Sequence, residues 1–407
     1  MGINLAAGNN IFFFCKDLFF CLMLSFSRGL FCMRLKGEKM DFKELIDSFA
    51  IYGDFQEALP YGNGHINQTY RVVCHQAGRP MAYLLQRINE NVFPQPQELM
   101  ENVERICHHL QQRAKAEGMA DLSRRVLSLV PTKQGKSWVK DDEGGIWRCY
   151  LFIEGASGHE VVQNPQQARE AGRCFAEYQR LLADLPGRPL KETIQNFHET
   201  PLRYARLVEA AQAAPASRLA DVAAELDYFR SHEQTVRLLT GLRDVGELPV
   251  RVVHNDTKLN NILIDDATDQ GLCVIDLDTS MPGLSLYDFG DLVRTSTSPV
   301  PEDHPHPQEV NMDFSMFKAL ADGFLENGRA FMNEQEILHL PEGGLLMTME
   351  VGIRFLTDYL EGNKYFKVAY PEHNLVRCRT QVALCQSIEQ QMTAMKDTVQ
   401  RLAEVRV

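Results

Sequence analysis

The sequence predicts an α+β chain of two lobes. The first is built on an antiparallel sheet with one helix, and the second is mainly helical with a small β-hairpin. Three observations predict this. Up to about residue 155, short apolar runs alternate with glycine-containing turns, as in 61–72, 81–88 and 146–152. Beyond it, apolar positions recur every three to four residues in 165–185, 201–213, 219–242, 311–327, 344–359 and 374–405. Inside that helical part lie three short apolar runs, 250–253, 262–264 and 272–275. The polar string His254-Asn255-Asp256-Thr257-Lys258-Leu259-Asn260-Asn261 separates the first two, and Asp276 follows the third.

In chain order, residues 1–39 read as an upstream extension. Lys16 and Asp17 interrupt the apolar stretch 11–24, so it makes a poor membrane span, and no positive charge precedes it as in a signal peptide. Met40 is the expected natural start, with the preceding segment disordered or weakly helical. Residues 40–155 are expected to form the nucleotide-covering lobe. A helix is expected over 41–52, with Phe42, Leu45, Ile46 and Phe49 on one face. A turn between strands follows, in which Gly62 and Gly64 let the backbone approach phosphates, with Asn67 beside them. His65 is either a turn residue or a group reaching an acceptor substrate from above. The strand over 81–88 has no lysine for the phosphates, and Gln86 or Arg87 must substitute. An amphipathic helix spans 98–110, with Glu98 and Glu101 as candidate ion-pairing residues or plain surface charges. Strands over 126–130, 137–140 and 146–152 complete the sheet, with a hairpin turn at 142–145. Ile153, Glu154 and Gly155 form the expected hinge, whose backbone faces adenine. Residues 156–407 make the catalytic, substrate-binding lobe.

The polar string points to phosphoryl transfer. That reaction needs a carboxylate to orient a hydroxyl, a cation near the γ-phosphate and oxygen ligands for Mg²⁺. Asp256 answers the first need, Lys258 the second, and Asn261 with Asp276 the third. Asp278 is either a turn residue or a second metal-shell carboxylate, and is taken as the latter. The pattern His-x-Asp-x-Lys-x-x-Asn followed by a strand and Asp is that of kinase-like phosphotransferases. The competing reading, a hairpin with polar turns, requires none of these residues. His254 is assigned a structural part. Asp288-Phe289-Gly290 spells the metal motif of protein kinases but lies past Pro282 and Gly283, at the start of a helix. Asp288 is therefore expected to be a buried carboxylate accepting N–H bonds from the catalytic loop.

Several stretches together carry a family resemblance: 61–72 (YGNGHINQTYRV), 84–89 (LLQRIN), 197–204 (FHETPLRY), 254–261 (HNDTKLNN), 275–291 (IDLDTSMPGLSLYDFGD) and 354–366 (RFLTDYLEGNKYF). The chain resembles the aminoglycoside phosphotransferase-like superfamily, which shares the protein-kinase fold, and within it the bacterial N-acetylhexosamine 1-kinases. The resemblance implies that Asp256 is the base for the anomeric hydroxyl and Lys258 the γ-phosphate contact. It implies Asn261 and Asp276 as Mg²⁺ ligands, and His65, Arg354 and Tyr365 as sugar-site residues. Arg354 in an apolar helical stretch otherwise calls for an internal ion pair, and Tyr365 for a core aromatic with a tethered hydroxyl.

Composition agrees. A net charge of −12 argues against nucleic acid as a partner. The ten cysteines form no C-x-x-C pair, which suits a reduced, cytoplasmic protein. No membrane partner is expected, and monomer and dimer are equally open. The expected activity is ATP- and Mg²⁺-dependent phosphorylation of the C1 hydroxyl of N-acetylglucosamine or N-acetylgalactosamine. The rival readings are a kinase of an aminoglycoside, choline or homoserine, and a non-catalytic nucleotide-binding protein.

Overall fold

The first described element is α1 (Phe42–Asp47), followed by the strands β1 (Asp54–Pro60), β2 (Gln68–Gln76) and β3 (Arg79–Arg87). This is a computed structural model, and it describes residues 41–62 and 66–404. The expectations for residues 1–39, Gly64 and His65 lie outside the described residues. Next come α2 (Pro96–Ala116), α3 (Leu122–Arg125), β4 (Val139–Lys140), β5 (Ile146–Leu151) and β6 (Ala156–Gly158).

Strands one to five form an antiparallel sheet in the order β1-β2-β3-β5-β4. Ala77 and Gly78 close the β2–β3 hairpin with φ of 50° and 80°, the positive pair that two-residue hairpin turns demand. β5 is buried on both faces, which explains its continuous apolar reading. Ile146 and Tyr150 join the cluster that holds Leu99, Val103, Ile106 and Leu110 of α2. Trp147 on the opposite face meets the rings of Phe42 and Tyr70.

Two expectations in this lobe change. The helix expected over 41–52 stops at Asp47, because Phe49 is fully buried and bridges to Thr132. The strand expected over 126–130 is reduced to a bridge from Leu129 to Tyr150, flanked by the bonds Val130 N to Cys149 O and Leu151 N to Ser128 O. The helical turn α3 uses up the chain just before it.

The second lobe holds α4 (Pro165–Leu182), α5 (Thr200–Ala213), α6 (Ala216–Asp221), α7 (Ala223–Ser231) and α8 (Glu233–Asp244). The strands β7 (Arg251–Val253), β8 (Ile262–Asp265), β9 (Gly271–Val274) and β10 (Met281–Gly283) follow. Then come α9 (Ser285–Ser296), α10 (Phe314–Gly328), α11 (Glu334–Leu338), α12 (Leu340–Glu361) and α13 (His373–Glu404). The helix expected over 219–242 is three helices. It breaks at fully buried Val222 and at His232, whose ring Nδ1 bonds Tyr228 O at 2.7 Å. α4 and α10 touch backbone to backbone: a Cβ on Gly323 would stand 2.0 Å from Arg169 O, and one on Gly172 would stand 2.3 Å from Leu320 O. That platform carries the small sheets, β6-β8-β9 and β7-β10, from which the polar string projects.

Among the described residues no helix is long and apolar enough to cross a membrane. The seven described cysteines are all buried and free.

Candidate active site

The loop after β7 is held from below by one carboxylate. Asp288, in the first turn of α9, is fully buried, and its Oδ2 accepts from His254 N at 2.9 Å. Its Oδ1 accepts from Asn255 N at 2.7 Å, and Gln179 Nε2 donates to its Oδ2 at 2.6 Å. Thr257 donates its hydroxyl to Asp288 O at 2.6 Å. The buried His254 ring bonds Ile275 O at 2.9 Å, and since a carbonyl can only accept, Nε2 carries the proton. Asn255 and Asp276 both adopt left-handed backbone, with φ of 65° and 60°. For non-glycine residues that conformation costs about 1–2 kcal/mol, and it clusters at functional sites. Here it turns the carboxylates that bracket the loop. Thr279 braces it, donating to His254 O at 2.7 Å and accepting at its own carbonyl from Asn255 Nδ2 at 3.0 Å.

Four of the expected residues gather on this frame. Lys258 Nζ lies 3.0 Å from Asp256 Oδ2. Asn261 donates its amide to Asp256 O at 2.8 Å and to Oδ2 at 3.1 Å. Burial pushes the Asp256 carboxyl up, but the charges of Lys258 and His254 outweigh it and hold its pKa below the usual value. Burial likewise lowers Lys258, and Asp256 more than restores it. Asp276 lies two residues beyond β9 and opens to solvent. Surrounding protein, then the carboxylates of Asp278 and Asp256, raise its pKa to about 6.

Asp278 sits differently from its two neighbours in this set. It is 2 % exposed and forms an ion pair with Arg148 of β5, while its Oδ2 accepts from Asn67 at 2.7 Å. Both oxygens are thus engaged within the protein, which corrects the reading of Asp278 as a metal-shell carboxylate. Asn67 is itself spent, because its Oδ1 accepts from Asn89 N at 3.0 Å. Gly62 keeps φ at +78° with open space around its Cα. Arg87 turns to the opposite face of the sheet, pairing with Asp141 at 3.2 Å and Glu143 at 2.7 Å, and so is no phosphate contact here. Strand alternation gives the cleft face to Gln86 instead. At the hinge, Ile153 is buried, Glu154 O and Gly155 O accept from Arg124 at 3.1 and 2.8 Å, and the Glu154 side chain pairs with Arg71. Glu98 and Glu101 of α2 pair with Lys191 and Arg188, away from the sheet.

Arg354 projects from α12 into a cage of rings: its guanidinium carbon lies 5.6 Å from Phe197, 5.9 Å from Tyr365 and 5.6 Å from Phe366. The buried Glu350 carboxylate, one helical turn earlier in α12, acts on it electrostatically. Tyr365 is 71 % exposed, and its backbone N–H bonds Asp358, whose carboxylate also collects the N–H groups of Lys364 and Phe366. Beside Phe197, His198 links this corner to the catalytic loop. Its Nδ1 meets Glu350 at 2.8 Å and its Nε2 donates to Asn255 O at 3.1 Å. Burial pulls its pKa down, and Glu350 more than reverses that.

Sequence reasoning missed Arg148, Glu350 and Asp358. Arg148 and Glu350 each left a trace, a single charge inside a run of apolar residues, whereas Asp358, between Arg354 and Glu361, left none.

Among the described residues no group of three or more His, Cys, Asp or Glu side chains is arranged to hold a metal. The Asn261 and Asp276 pair still suits Mg²⁺, which is commonly bound by one or two carboxylates together with substrate phosphates.

Residues 57–309, more than half of the chain, match the family described as APH, phosphotransferase enzyme family. The chain belongs to that phosphotransferase family. Solved structures share its fold at low identity. A microcompartment-associated aminopropanol kinase is 18 % identical, with a TM-score of 0.52, covering 87 % of this chain and 98 % of its own. An aminoglycoside phosphotransferase from Alicyclobacillus acidocaldarius is 13 % identical, with a TM-score of 0.58, covering 90 % and 98 %. A spectinomycin phosphotransferase, solved with ADP and spectinomycin, is 12 % identical, with a TM-score of 0.52, covering 88 % and 100 %. The fold of this phosphotransferase is thus the two-lobed, kinase-like one, with an antiparallel-sheet lobe and a helical lobe.

Proposed function

We propose that this phosphotransferase is an ATP- and Mg²⁺-dependent kinase that phosphorylates the C1 hydroxyl of an N-acetylhexosamine. The observation that carries the phosphoryl-transfer reading is the contact of Asp256 with both Lys258 and Asn261, with Asp276 open beside them. Asp256 stays ionised near neutrality and is free to take the hydroxyl proton as the oxygen attacks. Lys258 and Asn261 fix its orientation. Lys258 also stands ready to meet charge on the transferred group. Asn261 and Asp276 would hold Mg²⁺, which when bound neutralises charge on the phosphates. The Asn261 amide nitrogen is committed to Asp256, so its Oδ1 is the atom left for a cation. Gly62, Gly64 and the hinge at Ile153 and Glu154 are the proposed nucleotide contacts. The free, buried cysteines support a reducing, cytoplasmic setting.

The sugar reading is supported by Arg354. A guanidinium near the acceptor disfavours cationic substrates such as choline or an aminoglycoside, and suits a neutral one with hydroxyl and amide oxygens. Tyr365 and His65 complete the proposed sugar site. Arg354→Ala is expected to raise the KM for the sugar at least tenfold, of order 1.4 kcal/mol, with a smaller change in kcat. An unchanged KM removes Arg354 from the site.

The deciding experiment is ³¹P NMR with ATP, Mg²⁺ and a panel of N-acetylglucosamine, N-acetylgalactosamine, glucose, galactose, choline, homoserine and kanamycin. A sugar 1-phosphate doublet, split by the anomeric proton, is the expected product. A phosphomonoester of choline or kanamycin overturns the sugar reading and keeps the phosphotransferase.

A further inference from the structure

Protein kinases pair a strand lysine with a helix glutamate inside the nucleotide-covering lobe, and among the described residues this chain has neither in place. On β3 the cleft-facing residue at the relevant height is Gln86, which is neutral. Glu98 and Glu101 of α2 face Lys191 and Arg188. A cation is present one strand over. Arg148 of β5 stands opposite Gln86 in the register, on the same face of the sheet, and is 1 % exposed. Its guanidinium crosses to Asp278 in the second lobe, which is 2 % exposed.

Both ends of this pair are clamped. Gln86 Oε1 accepts from Arg148 Nε at 3.0 Å and from Nη2 at 2.8 Å, and Gln86 Nε2 donates to Thr69 Oγ1 at 3.1 Å. The Tyr150 ring lies 5.2 Å from the guanidinium carbon. At the other end Asn67, beside the glycine turn, donates to Asp278 Oδ2 at 2.7 Å, and Thr193 donates to Asp278 O at 2.8 Å. Asp278 lies in the 3₁₀ turn Leu277–Thr279, which begins directly after Asp276. Asp276 immediately precedes that turn, so whatever fixes Asp278 constrains the backbone that carries the Asp276 carboxylate two residues before it.

We propose that Arg148 and Asp278 form a cross-lobe strut that sets Asp276 against the nucleotide-covering sheet. Both are positioning residues for metal-assisted transfer. The inference rests on the phosphotransferase reading of the site and not on the identity of the acceptor. A purely stabilising role is a poor account of the pair. Buried ion pairs add little net stability, and neutral replacements of similar size are often as stable. What such a pair supplies is a fixed separation, held at both ends.

That difference gives the test. Arg148→Met alone and Asp278→Asn alone each leave a buried charge unpaired and should lower the melting temperature. The double variant, Arg148→Met with Asp278→Asn, removes both charges and should recover most of that loss. Its kcat is nevertheless expected to stay down about a hundredfold, the scale of an ångström-sized misplacement. The factor by which Mg²⁺ tightens binding of a non-hydrolysable ATP analogue, read by calorimetry, should fall at least tenfold. Arg148→Lys keeps the charge but loses the fork, so normal stability with a kcat down about tenfold is expected. A double variant with wild-type kcat and wild-type Mg²⁺ enhancement overturns the proposal. If the double variant fails to fold, Arg148→Lys decides, and full activity in it overturns the strut equally. The binding readout needs no acceptor. A wild-type protein that binds Mg²⁺ and nucleotide but phosphorylates no sugar therefore refutes the sugar reading alone.

Discussion

Asp256→Asn is expected to lower kcat by about a thousandfold or more while leaving nucleotide affinity within a fewfold of wild type. The substitution keeps the shape of the side chain and removes its capacity to accept a proton. Loss of a positioned general base typically costs between about a hundredfold and ten-thousandfold. The upper half of that range is expected, because two neighbours depend on the same charge. Lys258 is held at 3.0 Å by the Asp256 carboxylate, and Asn261 donates to the same oxygen. A neutral amide holds Lys258 less firmly and turns Asn261 toward new partners. The proposed γ-phosphate cation and metal ligand thus lose their anchor together with the base. Nucleotide binding should survive, since the glycine turn and the hinge lie in the other lobe. Acceptor-dependent ADP release and calorimetric titration with the nucleotide separate the two effects. Turnover within tenfold of wild type would remove Asp256 from its assigned part.

The contrast between Asp256 and Arg148 explains how much could be read in advance. Asp256, Lys258 and Asn261 lie within one loop, so their spacing in sequence is their spacing in space. Arg148 and Asp278 are partners across 130 residues, and neither has a local pattern that names the other. The misplacement of Arg87 has a simpler cause. The strand was legible, but its alternation is set by which face packs on α2, and that packing is a tertiary fact. Leu84 packs against the α2 cluster, so the even-numbered Gln86 takes the cleft and Arg87 takes the solvent edge. The break of 219–242 at Val222 is similar: three-to-four periodicity runs through it, and burial against the second-lobe core ends the helix. The broad division into a sheet lobe and a helical lobe was legible because apolar period changes near residue 155 and needs no long-range information.

Asp288→Ala is expected to cost about 2–4 kcal/mol of stability and to lower kcat more than a hundredfold in whatever protein remains folded. Two backbone N–H groups, of His254 and Asn255, lose their acceptor in a fully buried place, as does the Gln179 amide. Each buried donor left unpaired costs about 1–3 kcal/mol. The full sum is reduced because burial already raises the pKa of the Asp288 carboxyl, so the native state carries the expense of holding that group. The activity loss follows from the strained backbone beside it. Asn255 is held at a φ of 65° by bonds that include the one from its N–H to Asp288. Freed from that bond, the residue relaxes toward ordinary φ, and the Asp256 carboxylate swings with it. Asp288→Asn should fall between, since one oxygen remains to accept while the new NH₂ faces a backbone donor. Urea unfolding with parallel ADP-release assays checks both numbers. Wild-type activity in a stably folded Asp288→Ala protein would show that the loop is positioned by His254 and Thr279 alone, and that the Asp-Phe-Gly triplet has no part in the site.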